Sequence, residues 1–378
     1  MFWKRKKTFN VDLRRLAEIA ELSGSDFEEQ FQAELNSTTD DLAGQIAVAV
    51  LDSGGAWTKE FTKFRNGFEK RLSEIWKPAF TIYDFVLVLA TEVGQDLNLR
   101  YRPQAAVRQD HVFETLTRLH GRACLTASEI ASLLRAGHAT GANARWRTLN
   151  EISVVASFIS EVGQDVARRY LKHQWVEIYR MAREYHEHAE RLGLNIEASE
   201  VDEARKDFQK VVSEFGPEFG TPYGWAAAAL GIRNPTFRDI MKATNFEHWR
   251  PYYRLANLGV HAGSRGSFFD LGLPPSLDHI PARPSHFGLA DPGGNSLLSL
   301  TLATVTMMVH CMTSADDKDA SDIQASIVTL AKMKLLVKLA ADGDGMFVEI
   351  QAELEREVPQ STEVPRMFEE MEFGNIAE

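Results

Sequence analysis

RLHGRACLTASEIASLLRAGHATGANARWRTLNEISVVASFISEVG, residues 118–163, is the stretch whose reading decides the fold. Apolar residues recur at Ile130, Leu133 and Leu134. A glycine-containing break follows at 137–141, and a second periodic run carries Ala144, Trp146, Leu149, Ile152, Val155, Ala156 and Ile159. Steps of three and four are the helix period, so the stretch reads as a helical hairpin. On its second helix Ala144, Arg147, Glu151, Val154 and Phe158 form another stripe, which gives that helix two largely apolar faces, one of them carrying charge. A charge on such a face must be paired or put to use. Arg147 and Glu151 stand four apart, the spacing of a structural salt bridge.

Working outward, 378 residues hold two domains or one large helical domain with extensions, and an apolar fraction of 44% is ample for a packed core. The net charge of −11 disfavours a protein that coats nucleic acid indiscriminately. The charge is unevenly spread, however: residues 100–147 hold eight arginines against Asp110, Glu114 and Glu129. That excess allows a local anion site, for which Arg122 and Arg145 are the candidates. Cys124 and Cys311 give neither a disulfide framework nor zinc spacing, which fits a reducing, cytoplasmic setting. The basic start, MFWKRKKTFNVDLRR, leads into no apolar run of signal-peptide length and reads as the exposed beginning of a helix. Residues 297–312 are the most apolar run, but they fall short of a membrane span and carry Ser299, Thr301, Thr304, Thr306 and His310. They read as a buried helix, and no membrane association is expected.

Along the chain, helices are expected over residues 11–35, over 41–51 and 56–76 with a break at Ser53-Gly54-Gly55, from Pro78 onward, over 166–192, 200–215, 225–230 and 235–242, and over 296–340 with an interruption at Asp316-Asp317-Lys318-Asp319. Residues 262–294, rich in Gly, Pro and Ser, form the longest irregular segment. EVGQD occurs at 92–96 and again at 161–165, either a trace of duplication or a shared way of ending a helix. His186 and His188 project about 200° apart on a helix and cannot share a metal. DGDG at 342–345 fails the spacing of a calcium loop. No strand-rich region emerges. The expected fold is all-α, a multi-helix bundle: an N-terminal helical extension over 1–105, a core over 106–262, an irregular loop over 263–294, C-terminal helices packed on the core over 295–358, and a loose acidic tail over 359–378.

Nucleotide-binding, nucleophile-elbow and HExxH fingerprints are missing. One Arg/His pair remains, Arg254 and His261 in WRPYYRLANLGVH (residues 249–261), with Pro251 placed to start a helix. Seven α-helical steps return to within about 20° of the same face, about 10 Å along the axis, so a flexible arginine and the imidazole are able to converge on one anion. An imidazole titrating near neutrality moves a proton to or from a ribose hydroxyl or a leaving oxygen, and a guanidinium stabilises the charge that develops on phosphorus. That is the minimal equipment for metal-independent RNA cleavage. R-x6-H is also a pattern of low information.

The segments RACLTASE (122–129), LRAGHATGA (134–142), RWRTLNE (145–151), YGWA (223–226) and YRLANLGVHA (253–262) together resemble a bacterial helical domain family of unknown function, over residues 108–270. More remotely, an arginine and glutamate on one helix, followed by a later helix with an arginine a few residues before a histidine, are similar to the HEPN (higher eukaryotes and prokaryotes nucleotide-binding) superfamily. Many of its members are dimeric ribonucleases of toxin–antitoxin and antiphage defence systems. That resemblance implies an HEPN-like core with Arg254 and His261 as the catalytic pair and Arg147, Asn150 and Glu151 in support. It further implies RNA as substrate, a homodimer whose two-fold axis completes the site, a partner protein from the same operon, and no metal or cofactor. HEPN nucleases usually carry a small polar residue directly after the arginine, where this chain has Leu255, and HEPN-like domains that only bind or dimerise are common. Two readings therefore stand: an endoribonuclease, or a non-catalytic helical sensor or adaptor in which Arg147, Glu151, Arg254 and His261 form a buried structural network. A third is the binding of a nucleotide or other small anion along residues 100–147.

Overall fold

The computed structural model describes residues 25–273, 283–314 and 320–357, together with Arg14, Glu18 and Ile19. The basic start, the middle of the irregular segment, the interruption at 316–319 and the acidic tail thus fall outside the described residues. The chain divides into two compact units between Arg71 and Leu72. The first unit is carried by α1 (Ser25–Ile75), one helix of 51 residues on which the stretches 41–51 and 56–76 both lie. Gly54 and Gly55 cost about 1 kcal/mol each in helix propensity, but glycine keeps its N–H and clashes with nothing, so it does not force the expected break.

The second unit begins with residues 72–75 of α1 and continues into α2 (Lys77–Arg108), Pro78 at its first turn. The hairpin follows as α3 (His111–Arg135) and α4 (Ala139–Val162), joined through Gly137 at φ +75°. Asp110 caps α3 by accepting the Phe113 N–H at 2.9 Å, and Gln164 Oε1 accepts the His111 N–H at 2.8 Å. The expected helix over 166–192 is three pieces: α5 (Gln164–Lys172), α6 (Gln174–Glu187) and α7 (Ala189–Leu192). α8 (Ala198–Phe215) leads into 3-10 turns and the short α9 (Ala227–Leu230), α10 (Phe237–Ala243) and α11 (Arg250–Ala256). The unit ends with α12 (Ala290–Thr313) and α13 (Ala320–Glu357). The protein is an all-α multi-helix bundle, with no strand among the described residues.

α12 is the axis of that bundle, packed against α2, α3, α4 and α13. By length and composition it is the one described helix able to cross a membrane, yet 56% of its apolar window is buried inside the protein, as expected for residues 297–312. Its approach to α13 is too close for side chains. A Cβ on Gly293 would lie 2.5 Å from the Phe347 ring, and one on Gly343 would lie 2.5 Å from Leu297 Cδ1. Phe347 in turn packs against Trp76, Phe80 and Tyr83. DGDG at 342–345 is therefore helical, and its first glycine serves packing. The two EVGQD copies differ in structure. Gly163 (φ +100°) breaks α4 from α5, whereas Gly94 lies inside α2, where its missing Cβ admits the His120 ring.

Candidate functional site

α4 is buried on most of its circumference, and its charged residues Arg145, Arg147 and Glu151 are only partly exposed. Arg147 Nη2 lies 3.0 Å from Glu151 Oε1, the i,i+4 pair the spacing predicts. The structure adds a third member. Tyr253 of α11 donates its hydroxyl to Glu151 Oε1 at 2.5 Å, and the Arg147 guanidinium sits 4.8 Å from the centre of the Tyr253 ring. Burial, the hydrogen bond to Glu151 and that carboxylate's charge together raise the Tyr253 phenol well above its ordinary value, against the opposing pull of Arg147. Phe237 packs its ring 5.2 Å from that of Tyr253. This three-part lock fastens α11 to α4.

Beyond Ala256 the α-helix gives way to a single 3-10 turn, Asn257–Gly259. Gly259 lies against the first turn of α4, where a Cβ would come 2.9 Å from Thr140 Cγ2. The seven uninterrupted helical steps expected between Arg254 and His261 are therefore not formed, because the chain must tighten to lie against Thr140. Arg254, on α11, and His261, just past the turn, are both exposed, and neither side chain makes a hydrogen bond or ion pair among the described residues. Residues 248–265 contain Arg250, Arg254, Arg265, His248 and His261 and no carboxylate. Tyr252 and Phe268 are exposed beside them.

The other candidates separate. Asn150 is fully buried, and both its side-chain polar atoms lack a hydrogen-bond partner, as does Arg147 Nε. Arg145 projects from a different side of α4, is ion-paired to Glu129 of α3 and reaches Thr126 Oγ1 at 3.4 Å. Its guanidinium is spent on the hairpin. Arg122 instead lines a two-lobed cleft of about 460 and 320 Å³, whose lobes share Leu119, Arg122, Tyr170, Glu177 and Trp225. Glu151 and Tyr223 line the smaller lobe. Arg122 makes no hydrogen bond or ion pair among the described residues, while Glu114 is held by Arg102 and Arg118, and Glu151 by Arg147 and Tyr253. His173, whose Nδ1 lies 3.7 Å from Glu177 Oε1, lowers the Glu177 carboxyl, against partial burial. Burial, then the charge of Glu151, pushes the Tyr223 phenol up to about 12. His173 is buried and its Nε2 donates to the Thr221 carbonyl at 2.9 Å, which ties α6 to the loop carrying Tyr223.

The span from α3 to the loop after α11 holds all of these groups. Residues 113–273 match the model of DUF5677, a family of unknown function. No curated protein and no solved structure matches the chain. The DUF5677 match contains every candidate residue, and it contains Tyr170, Glu177, Tyr223 and Tyr253, to which the sequence assigned no role. YGWA and YRLANLGVHA carried the resemblance, but nothing in those strings says that Tyr253 bonds Glu151 or that Tyr223 lines the same cleft lobe as Glu151. Among the described residues no group of three or more His, Cys, Asp or Glu side chains is arranged to hold a metal ion.

Proposed function

We propose that the protein is a metal-independent endoribonuclease of HEPN type, acting in bacterial defence or a toxin–antitoxin setting, with Arg254 and His261 as its working pair. The observation that carries the reading is that both side chains are exposed to water and uncommitted, although the lock at Tyr253, one residue before Arg254, is fully engaged. A purely structural role for the four polar residues needs all of them in one buried network, and of the four only Arg147 and Glu151 are joined. Single-stranded RNA is bound by cations interleaved with aromatic faces. The carboxylate-free run 248–265, with Tyr252 and Phe268 exposed, has that composition. In the reaction, the ribose 2′-oxygen bonds to phosphorus as the bond to the 5′-oxygen breaks, leaving a 2′,3′-cyclic phosphate and a 5′-hydroxyl. His261 moves a proton at one of these oxygens and Arg254 balances charge on the phosphate. A second copy of the pair, across a two-fold axis, supplies the proton transfer at the other oxygen.

The test is incubation of the full chain with total RNA in EDTA beside His261→Ala. Cleavage in the wild type and its loss in the variant are expected, with the melting midpoint unmoved because the histidine is exposed. RNA left intact by the wild type, or cut equally by the variant, defeats the reading.

A second reading, a helical sensor of a small anion, is favoured by the unpaired Arg122 in the cleft. Inorganic phosphate should then raise the melting midpoint of the wild type and not of Arg122→Ala, and the effect should fade with salt. An equal rise in both defeats it.

A further inference from the structure

The first unit carries a surface that neither reading uses. On α1, Leu42, Ile46, Val50, Gly54, Trp57, Phe61 and Phe64 follow one another at steps of three and four, the stripe of a helix built to lie against another helix. Trp57, Phe61 and Phe64 are about half exposed, at 51%, 49% and 61%, and Trp57 stacks on Phe61 at 5.5 Å. Helices in water draw their stability chiefly from burying such a face. The charges along the same helix are sorted by half. Residues 27–52 carry Glu28, Glu29, Glu34, Asp40, Asp41 and Asp52 with no lysine or arginine, whereas residues 57–71 carry Lys59, Lys63, Arg65, Lys70 and Arg71 against Glu60 and Glu69.

We propose that α1 pairs with α1 of a second copy of this chain, antiparallel, through the Trp57, Phe61 and Phe64 stripe. Orientation follows from the charge. A parallel pair sets acidic half on acidic half and basic on basic, while an antiparallel pair sets each against its complement. A register centred near residue 52 also sets Trp57 and Phe61 across from the small residues Ala43 and Ala47, and Arg65 across from Asp40 on the same flank. Large residues then fill the space that small ones leave. This pairing needs neither Arg254 nor His261, and it supplies a two-fold axis of the kind the ribonuclease reading calls for; the assembly and the RNA cleavage are read by separate assays, so either can fail without the other.

The experiment is light scattering on the full chain after size exclusion, at micromolar to tens of micromolar concentration. The wild type is expected as a dimer, and Phe61→Glu with Phe64→Glu as a monomer or with a dimer Kd raised at least about tenfold, because charge replaces the seam. The melting midpoint of the helical bundle, followed in the same samples, is expected to stay put and so reports that the variant is folded. Orientation is read by oxidative cross-linking. The double variant Asp40→Cys/Arg65→Cys is expected to link two copies, and Arg65→Cys alone is not. A monomeric wild type, a dimer unchanged in the double glutamate variant, or cross-linking by Arg65→Cys alone overturns the proposal.

Discussion

Replacing Tyr253 by phenylalanine isolates the hydroxyl of the α4–α11 lock. The ring stays, so its packing on Phe237 at 5.2 Å and its face toward Arg147 are kept, and only the 2.5 Å bond to Glu151 is lost. A hydrogen bond to a charged acceptor contributes about 1.5–3 kcal/mol when buried. Glu151 and Arg147 each keep 28% of their side-chain surface in water, so solvent replaces part of it and about 1–2 kcal/mol is expected. For a bundle of this size that is a fall of roughly 2–8 °C in melting midpoint, or a lower urea midpoint at unchanged slope. The cleaner measurement is a double-mutant cycle with Glu151→Gln, where the coupling between the two positions should recover most of the single-mutant loss. A Tyr253→Phe change below about 0.3 kcal/mol together with no coupling would refute the lock, and with it the account of how Arg254 is held.

Three further outcomes follow from the bundle. Burial alone would raise the Asp110 carboxyl, but hydrogen bonds from His310 Nε2 (3.0 Å), Gln164 and the Phe113 N–H outweigh it and hold it far below its ordinary 3.8. A depressed carboxyl stabilises above its unfolded value, so Asp110 should contribute fully above pH 3.8 and progressively less below it; acid titrations of Asp110→Asn should show a correspondingly flatter loss of stability there. Gly94→Ala, which in an open helix would gain about 1 kcal/mol, should instead destabilise by roughly 2 kcal/mol or more in urea melts, because its Cβ would lie 2.4 Å from the His120 ring. Trp146→Phe should cost about 2–4 kcal/mol by the same measurement, since the buried indole N–H donates to Asn295 O and Ser299 Oγ, both at 3.0 Å.

The hairpin was legible because its information is local. The period of Ile130, Leu133 and Leu134 and of Trp146, Leu149 and Ile152 states which face is buried, and all six except Leu133 are in the core. The break predicted at Ser53-Gly54-Gly55 failed for the converse reason. Glycine lowers helix propensity without removing a hydrogen bond, so the residues on either side decide. The splitting of 166–192 was not legible at all. α5 and α6 part at His173, whose ring donates to Thr221, a partner 48 residues away, and α6 and α7 part at His188; composition does not reveal which buried histidine finds which carbonyl.

The site divides along the same line. The pairing of Arg147 with Glu151 is an i,i+4 relation and could be read from spacing, whereas Tyr253 reaches Glu151 across 102 residues. That contact changes what the carboxylate is. With Arg147 alone Glu151 would be half of an ordinary ion pair. With Tyr253 as well, it is the point where α11 is fixed to the bundle, and its charge is what holds the Tyr223 phenol high in the neighbouring cleft after burial has done the larger part. Arg145 makes the opposite point: two residues from Arg147, it projects about 200° around the same helix and finds Glu129, so neighbouring arginines in one basic stretch have unrelated employments. Counting charge over residues 100–147 could therefore indicate that an anion site was possible, but only the direction of each side chain places Arg122, without a hydrogen bond or ion pair among the described residues, in the cleft beside Glu177.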